Sequence, residues 1–199
     1  MSTTPSFTAN AAEPGRAPSP AAATSVRYEI DPAHTRAAFA VRHMMVTTVR
    51  GEFGKVAGTV VFDEADPSRS RIEATIDASS VNTGVEMRDN HLRSADFFDV
   101  GQHPHLTFKS THVQKVGDQE YKVSGDLTMR GVTRQVVLDV ESPSAEVKDP
   151  YGVFKRGATA TTNVNRRDFG LHWNQALEAG GVMVADKVNI TIDLELARK

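Results

Sequence analysis

One stretch of the chain carries the side chains that acid–base chemistry uses. Residues 82–101 hold Arg88, Asp89, His91, Arg93, Asp96 and Asp99, and an imidazole beside carboxylates is a common general base. The same spacing fits a plainer role. Asp89 and Arg93 stand at i, i+4, as surface ion pairs do, and Asp99 falls near the end of the run. Groups so placed cap turns and tie a helix to its surroundings. No nucleophile with a partner base and no glycine-rich phosphate loop accompanies them. His103 and His105 flank Pro104, a spacing that can put two imidazoles on one face as metal ligands. Leu106 and Phe108 mark the inner face there, so His105 points outward with Thr107. No third ligand stands at metal spacing, and no metal site is expected. The chain has no cysteine, which removes thiolate ligands, thiolate nucleophiles and disulfides together.

A formal net charge of −2 over 199 residues gives no electrostatic reason to expect nucleic acid as a partner. No apolar run is long enough for a transmembrane helix. Residues 1–24 are rich in Ala, Pro, Ser and Thr and lack the cationic start and apolar stretch of a secretory signal. Such a segment buries too little surface to offset its ordering entropy, so we expect a disordered tail, a domain over residues 25–199 and a cytoplasmic protein.

The elements that must position the charged cluster are strands. Val26, Tyr28 and Ile30 share one face, and so do Ala37, Phe39, Val41 and His43. One helical turn is expected near residues 44–49. Alternation resumes through Val56, Gly58, Val60 and Phe62, then Ile72, Ala74, Ile76 and Ala78. Residues 82–101 are the one helical stretch, with Thr83 and Glu86 in the pattern of a capping box. Beyond it, Leu106 and Phe108 alternate, followed by Tyr121, Val123, Gly125, Leu127 and Met129, then Val136, Leu138 and Val140. Pro143 and residues 149–152 punctuate a connection. Residues 157–164, rich in Ala and Thr, suit a concave strand. Val188, Ile190, Ile192, Leu194 and Leu196 alternate most cleanly of all. About eight or nine strands with one apolar face each predict an all-β fold, sequentially connected, either a barrel or a sandwich. Closure is favoured because it removes exposed edges.

Four stretches add a specific resemblance. His43 to Phe53 reads HMMVTTVRGEF, Arg88 to Val100 reads RDNHLRSADFFDV, Gly125 to Thr133 reads GDLTMRGVT, and Arg167 to Leu171 reads RDFGL. Together they are similar to the YceI-like family of lipocalin-like, polyisoprenoid-binding proteins. The resemblance implies an eight-stranded antiparallel barrel with a short helix packed at one end. Its lumen would take the chain of an isoprenoid lipid such as a quinone or prenyl phosphate, with no other cofactor. Family members are commonly dimers, so a homodimer with transient membrane contact is expected. Candidate wall residues are Phe39, Val41, Phe62, Ile76, Met87, Leu92 and Phe98, continuing with Phe108, Leu127, Met129, Leu138, Ile190 and Ile192. His43, Arg88 and His91 are the candidate head-group contacts. Two other readings stand beside this non-enzymatic binder. One is an enzyme acting on an isoprenoid or quinone through His91 with Asp89 or Asp96; the other is a stress-related interaction module with a filled barrel.

Overall fold

The computed structural model describes residues 25–141, 145–178 and 180–199. The tail at 1–24 and Pro143 lie outside the described residues. The strands are β1 (Ser25–Ile30), β2 (Arg36–His43), β3 (Thr47–Phe53), β4 (Val56–Asp63), β5 (Arg71–Asp77) and the two-residue β6 (Val81–Asn82). After the α-helix α1 (Glu86–Arg93) come β7 (His105–Lys115), β8 (Glu120–Met129), β9 (Val132–Glu141), the short β10 (Val147–Lys148), β11 (Phe154–Asn165) and β12 (Val184–Arg198).

Antiparallel neighbours run β1, β4, β5, β7, β8, β9, β11, β12 and back to β1, which closes a barrel of eight. The connection is not purely sequential, as the alternation had suggested. The last strand, β12, pairs with β11 along one edge and shares its other edge between β1 and β2. Ile30 faces Leu196 and Arg36 faces Asp193, so residues 31–35 are a bend inserted opposite only two residues. Thus β1 and β2 form one interrupted line, and β4 and β3 form a second beside it. At one end of the barrel the β2–β3 hairpin leaves the ring, and β3 retains only β6 on its far side. No helical turn forms at its tip. Met44 and Met45 take left-handed backbone angles, φ 51° and 60°, as the central residues of a tight hairpin turn do.

Two glycines on the inward faces show how tightly rings fit against the wall. A Cβ on Gly51 would lie 2.5 Å from the Phe39 ring, and one on Gly125 would lie 2.4 Å from the Phe108 ring. Each aromatic therefore lies across the bare backbone of the neighbouring strand.

The inserted bend is held by charge. Lys155 donates to Asp31 Oδ2 at 2.7 Å and to Glu195 Oε1 at 2.9 Å. The buried Thr35 hydroxyl accepts from the Glu195 backbone N–H at 3.1 Å. The hydrogen bond from Lys155 is the main reason the Asp31 carboxyl is held well below the usual carboxylate range; Ala33 N–H and His34 reinforce it. Reciprocally, Asp31 and Glu195 raise the Lys155 ammonium above its ordinary value. Asp31, His34 and Glu195 cluster as metal ligands do, but the ammonium already supplies their counter-charge. Elsewhere Asp77 is lowered to about 2, chiefly by the Ser79 hydroxyl and then by Lys55. A carboxyl depressed on folding stabilises the fold fully above its unfolded value, about 4, and that contribution is lost as pH falls toward the folded value. Urea midpoints of the wild type should therefore drop steeply below about pH 4. Asp31→Asn should be less stable at pH 6 and show a shallower acid loss; parallel pH profiles for the two proteins would refute this account.

Candidate functional site: an apolar lumen

The inward faces enclose a cavity of about 190 Å³. Along β8 its wall runs from Tyr121 to Met129, about 27 Å of strand at 3.4 Å per residue. The lumen is hollow at mid-height. Ile72, Ala74, Phe108, Leu138, Ile190 and Ile192 all line it, yet none is fully buried, because each borders open space. Around α1 the packing is closed instead: Phe53, Val81, Phe97 and Phe169 are each no more than 7% exposed. One end of the barrel is therefore plugged.

The plug explains the charged cluster. Asp89 is buried, and its Oδ1 accepts from the Thr83 backbone N–H at 2.8 Å and the Thr83 hydroxyl at 2.5 Å. This replaces the expected Thr83–Glu86 capping box: Val85 is the N-cap residue and gives no side-chain cap. Nor does Asp89 pair with Arg93. Arg93 donates to the carbonyls of Ser79 at 2.8 Å and Val81 at 2.7 Å, fastening the helix to the barrel. Arg88 is bonded back to Thr83, through the hydroxyl at 2.7 Å and the carbonyl at 3.0 Å. His91 bonds Asp96 at 2.9 Å and meets the rings of Phe97 and Trp173 edge-on. Across the same end Arg130 reaches the carbonyls of Gly170 and Ala95, and buried Arg166 reaches those of Leu171, Trp173 and Ala185. Unpaired backbone acceptors at an irregular end are costly, and arginine's forked donors satisfy several at once.

The predicted wall divides accordingly. Phe62, Ile76, Phe108 and Leu127 line the cavity, as do Met129, Leu138, Ile190 and Ile192. Phe39, Leu92 and Phe98 belong to the packing at the plug: Phe39 meets Phe53 at 5.8 Å, Phe53 meets Phe98 at 5.3 Å, and Leu92 packs on the same cluster. Val41 and His43 lie on the hairpin beyond the cavity wall, opposite Val188 and Val184. Met87 is a correction: it is 81% exposed, on the helix face turned from the barrel. Arg88 and His91 are corrected likewise, since their polar atoms are engaged at the plug and neither touches the lumen.

The phenolic and charged groups of the lumen gather at the opposite end, where the sequence reading had placed no head-group contact. Tyr28, Tyr121 and Arg156 line it there. Tyr28 donates its hydroxyl to Glu146 at 2.6 Å, and its pKa is raised by burial first and by Glu146 second. Phe62 meets Tyr121 edge-on at 5.7 Å and carries the Arg156 guanidinium over its ring at 5.1 Å. The signal for Arg156 was strand parity: it shares a face with Ala158, Ala160 and Val164.

A family model for the YceI-like domain matches residues 28–196. The chain belongs to the YceI-like family. A UPF0312 protein of Staphylococcus aureus is 37% identical over 170 residues, 85% of this chain and 96% of that protein. The Campylobacter jejuni YCEI protein is 30% identical with a TM-score of 0.68, covering 79% of this chain and 90% of that one. Two more distant structures share the fold. Burkholderia cenocepacia BcnA has a TM-score of 0.73 at 24% identity, covering 83% of this YceI-like chain and 98% of its own. A polyisoprenoid-binding domain from Saccharophagus degradans has a TM-score of 0.64 at 18% identity, covering 87% and 99%. Among the described residues of this YceI-like protein, no helix is long and apolar enough to cross a membrane.

Proposed function

We propose that this YceI-like protein binds and carries a long-chain isoprenoid lipid, of the quinone or prenyl phosphate type, in the barrel lumen and without catalysis. The observation that carries the reading is the hollow: an apolar cavity walled by eight strands, in a family with a polyisoprenoid-binding structural neighbour. Each CH₂ moved from water into such a lumen contributes about 0.8 kcal/mol, so a long tail supplies more than ~10 kcal/mol before ordering costs. From a bilayer the same transfer is nearly neutral, which suits a carrier that loads and unloads. The hollow weighs against a filled-barrel module. The structural use of Asp89, Arg93 and His91 weighs against an enzyme.

Native mass spectrometry of the purified protein, followed by organic extraction, tests this. We expect an isoprenoid in the extract, and the same spectrum reads the proposed homodimer. Protein that yields no lipid and takes up no added farnesol would refute the carrier. A quinone converted to product by the wild type but not by His91→Gln would move it to the enzymes.

A further inference from the structure

We propose that Arg156 is a head-group site, holding the oxygen of a phosphate or quinone carbonyl at the end of the lumen opposite α1. This deepens the carrier reading and rests on it. Among the described residues that line the cavity, Arg156 is the one that carries a charge. It stands on β11 opposite Leu196, with Ala158 and Ala160 continuing the same inward face toward the plug. Its Nε is buried and has no hydrogen-bond partner among the described residues. No carboxylate of the described residues forms an ion pair with it; Glu146, at the same end, is engaged by the Tyr28 hydroxyl at 2.6 Å and by Arg198 at 3.0 Å.

A guanidinium with a buried donor unmet is costly, and the ring of Phe62 and the Tyr28 hydroxyl oxygen are only partial counterparts. The remaining deficit is at the buried Nε, which lacks an acceptor. An oxygen at the end of an apolar chain would meet the Nε–H while its tail follows the wall toward Met129. Arginine matches phosphate oxygens in two-pronged fashion and a carbonyl through single bonds. The Tyr121 hydroxyl lines the same end and adds a donor, whereas the single Tyr28 O–H is already given to Glu146. Chain length is then set by the apolar wall and head chemistry by one residue.

Calorimetric titration of wild type, Arg156→Gln and Arg156→Lys with farnesene, which has the chain but no oxygen, farnesyl phosphate and a two-isoprene ubiquinone tests the site. In the wild type at least one oxygen-headed ligand should bind about tenfold or more tightly than farnesene, since a hydrogen bond to a charged donor is worth that much. Arg156→Gln should bring that ligand to within about twofold of farnesene while leaving farnesene itself unchanged. Arg156→Lys should keep a phosphate preference and lose a quinone one, because it retains charge without the planar fork. The three ligands also separate the sources, since only one head type should show the advantage if the site is specific. Equal wild-type affinities for all three, a preference that survives in Arg156→Gln, or a parallel loss of farnesene would each overturn the head-group site. Failure of all three ligands to bind the wild type would instead remove the carrier reading on which it rests.

Discussion

Arg166→Met should be the most destabilising single change in this domain that leaves the apolar core untouched, costing about 3–5 kcal/mol. The guanidinium is 4% exposed, and burial lowers its pKa from the ordinary arginine value. It donates to the carbonyls of Leu171 at 2.5 Å, Trp173 at 2.8 Å, Ala185 at 3.0 Å and Val184 at 3.3 Å, and to Asp186 at 3.2 Å. Those carbonyls belong to the irregular segment after residues 166–169 and to the start of β12, which is why no strand partner serves them. Methionine keeps much of the volume but offers no donor, so several acceptors lose their partner together. Arg167 is the control: it bonds the same Asp186 at 2.9 Å from an exposed position, and Arg167→Met should cost less than about 1 kcal/mol. Urea unfolding of both variants decides it. Equal midpoints would mean that the plug is held by apolar packing alone.

The contrast between those two arginines also shows what the sequence could reveal. Alternation located the strands because a half-buried sheet writes its two faces into every second residue. It was silent on pairing, so nothing in residues 31–35 announced an inserted bend rather than a reversal; Asp31-Pro32 reads as a turn in either case. The capping pattern misled for a related reason. Thr83 does engage a carboxylate, but the one it meets is Asp89, and only burial against the barrel rim selects it over Glu86. Hydrophobicity likewise identified Phe108, Leu138 and Ile192 as wall while promoting Met87, because an eight-residue helix of mostly polar residues gives its apolar members no clear face. Arg156 was hidden by type. Beside Lys155 it looks like a solvated basic pair, and only the register of β11 with β12 turns one outward to the Asp31 bend and the other into the lumen.

A lumen that is hollow should gain from being filled, and this gives the sharpest test of the cavity. Ala74 on β5 and Ala158 on β11 both line it, and these strands stand four apart in the ring of eight, on opposite walls. Neither alanine is fully buried, so each Cβ borders open space. In a hollow barrel, Ala74→Phe with Ala158→Phe would insert two rings into that space. Each buried phenylalanine contributes roughly 1.5–3 kcal/mol, and the delipidated variant should be as stable as the wild type or more so. A close-packed interior predicts the opposite sign, a loss of about 1–3 kcal/mol per ring from overpacking. Ligand capacity should respond independently. The variant should copurify with little or no lipid, and added isoprenoid should no longer raise its unfolding midpoint, whereas the wild type gains stability with ligand concentration by mass action. Midpoints with and without added farnesol, and extracted lipid mass, are measured on the same preparations. A variant that keeps its fold and loses its ligand places the binding site in the lumen; one that keeps both places it elsewhere; one that unfolds shows that the space was never open.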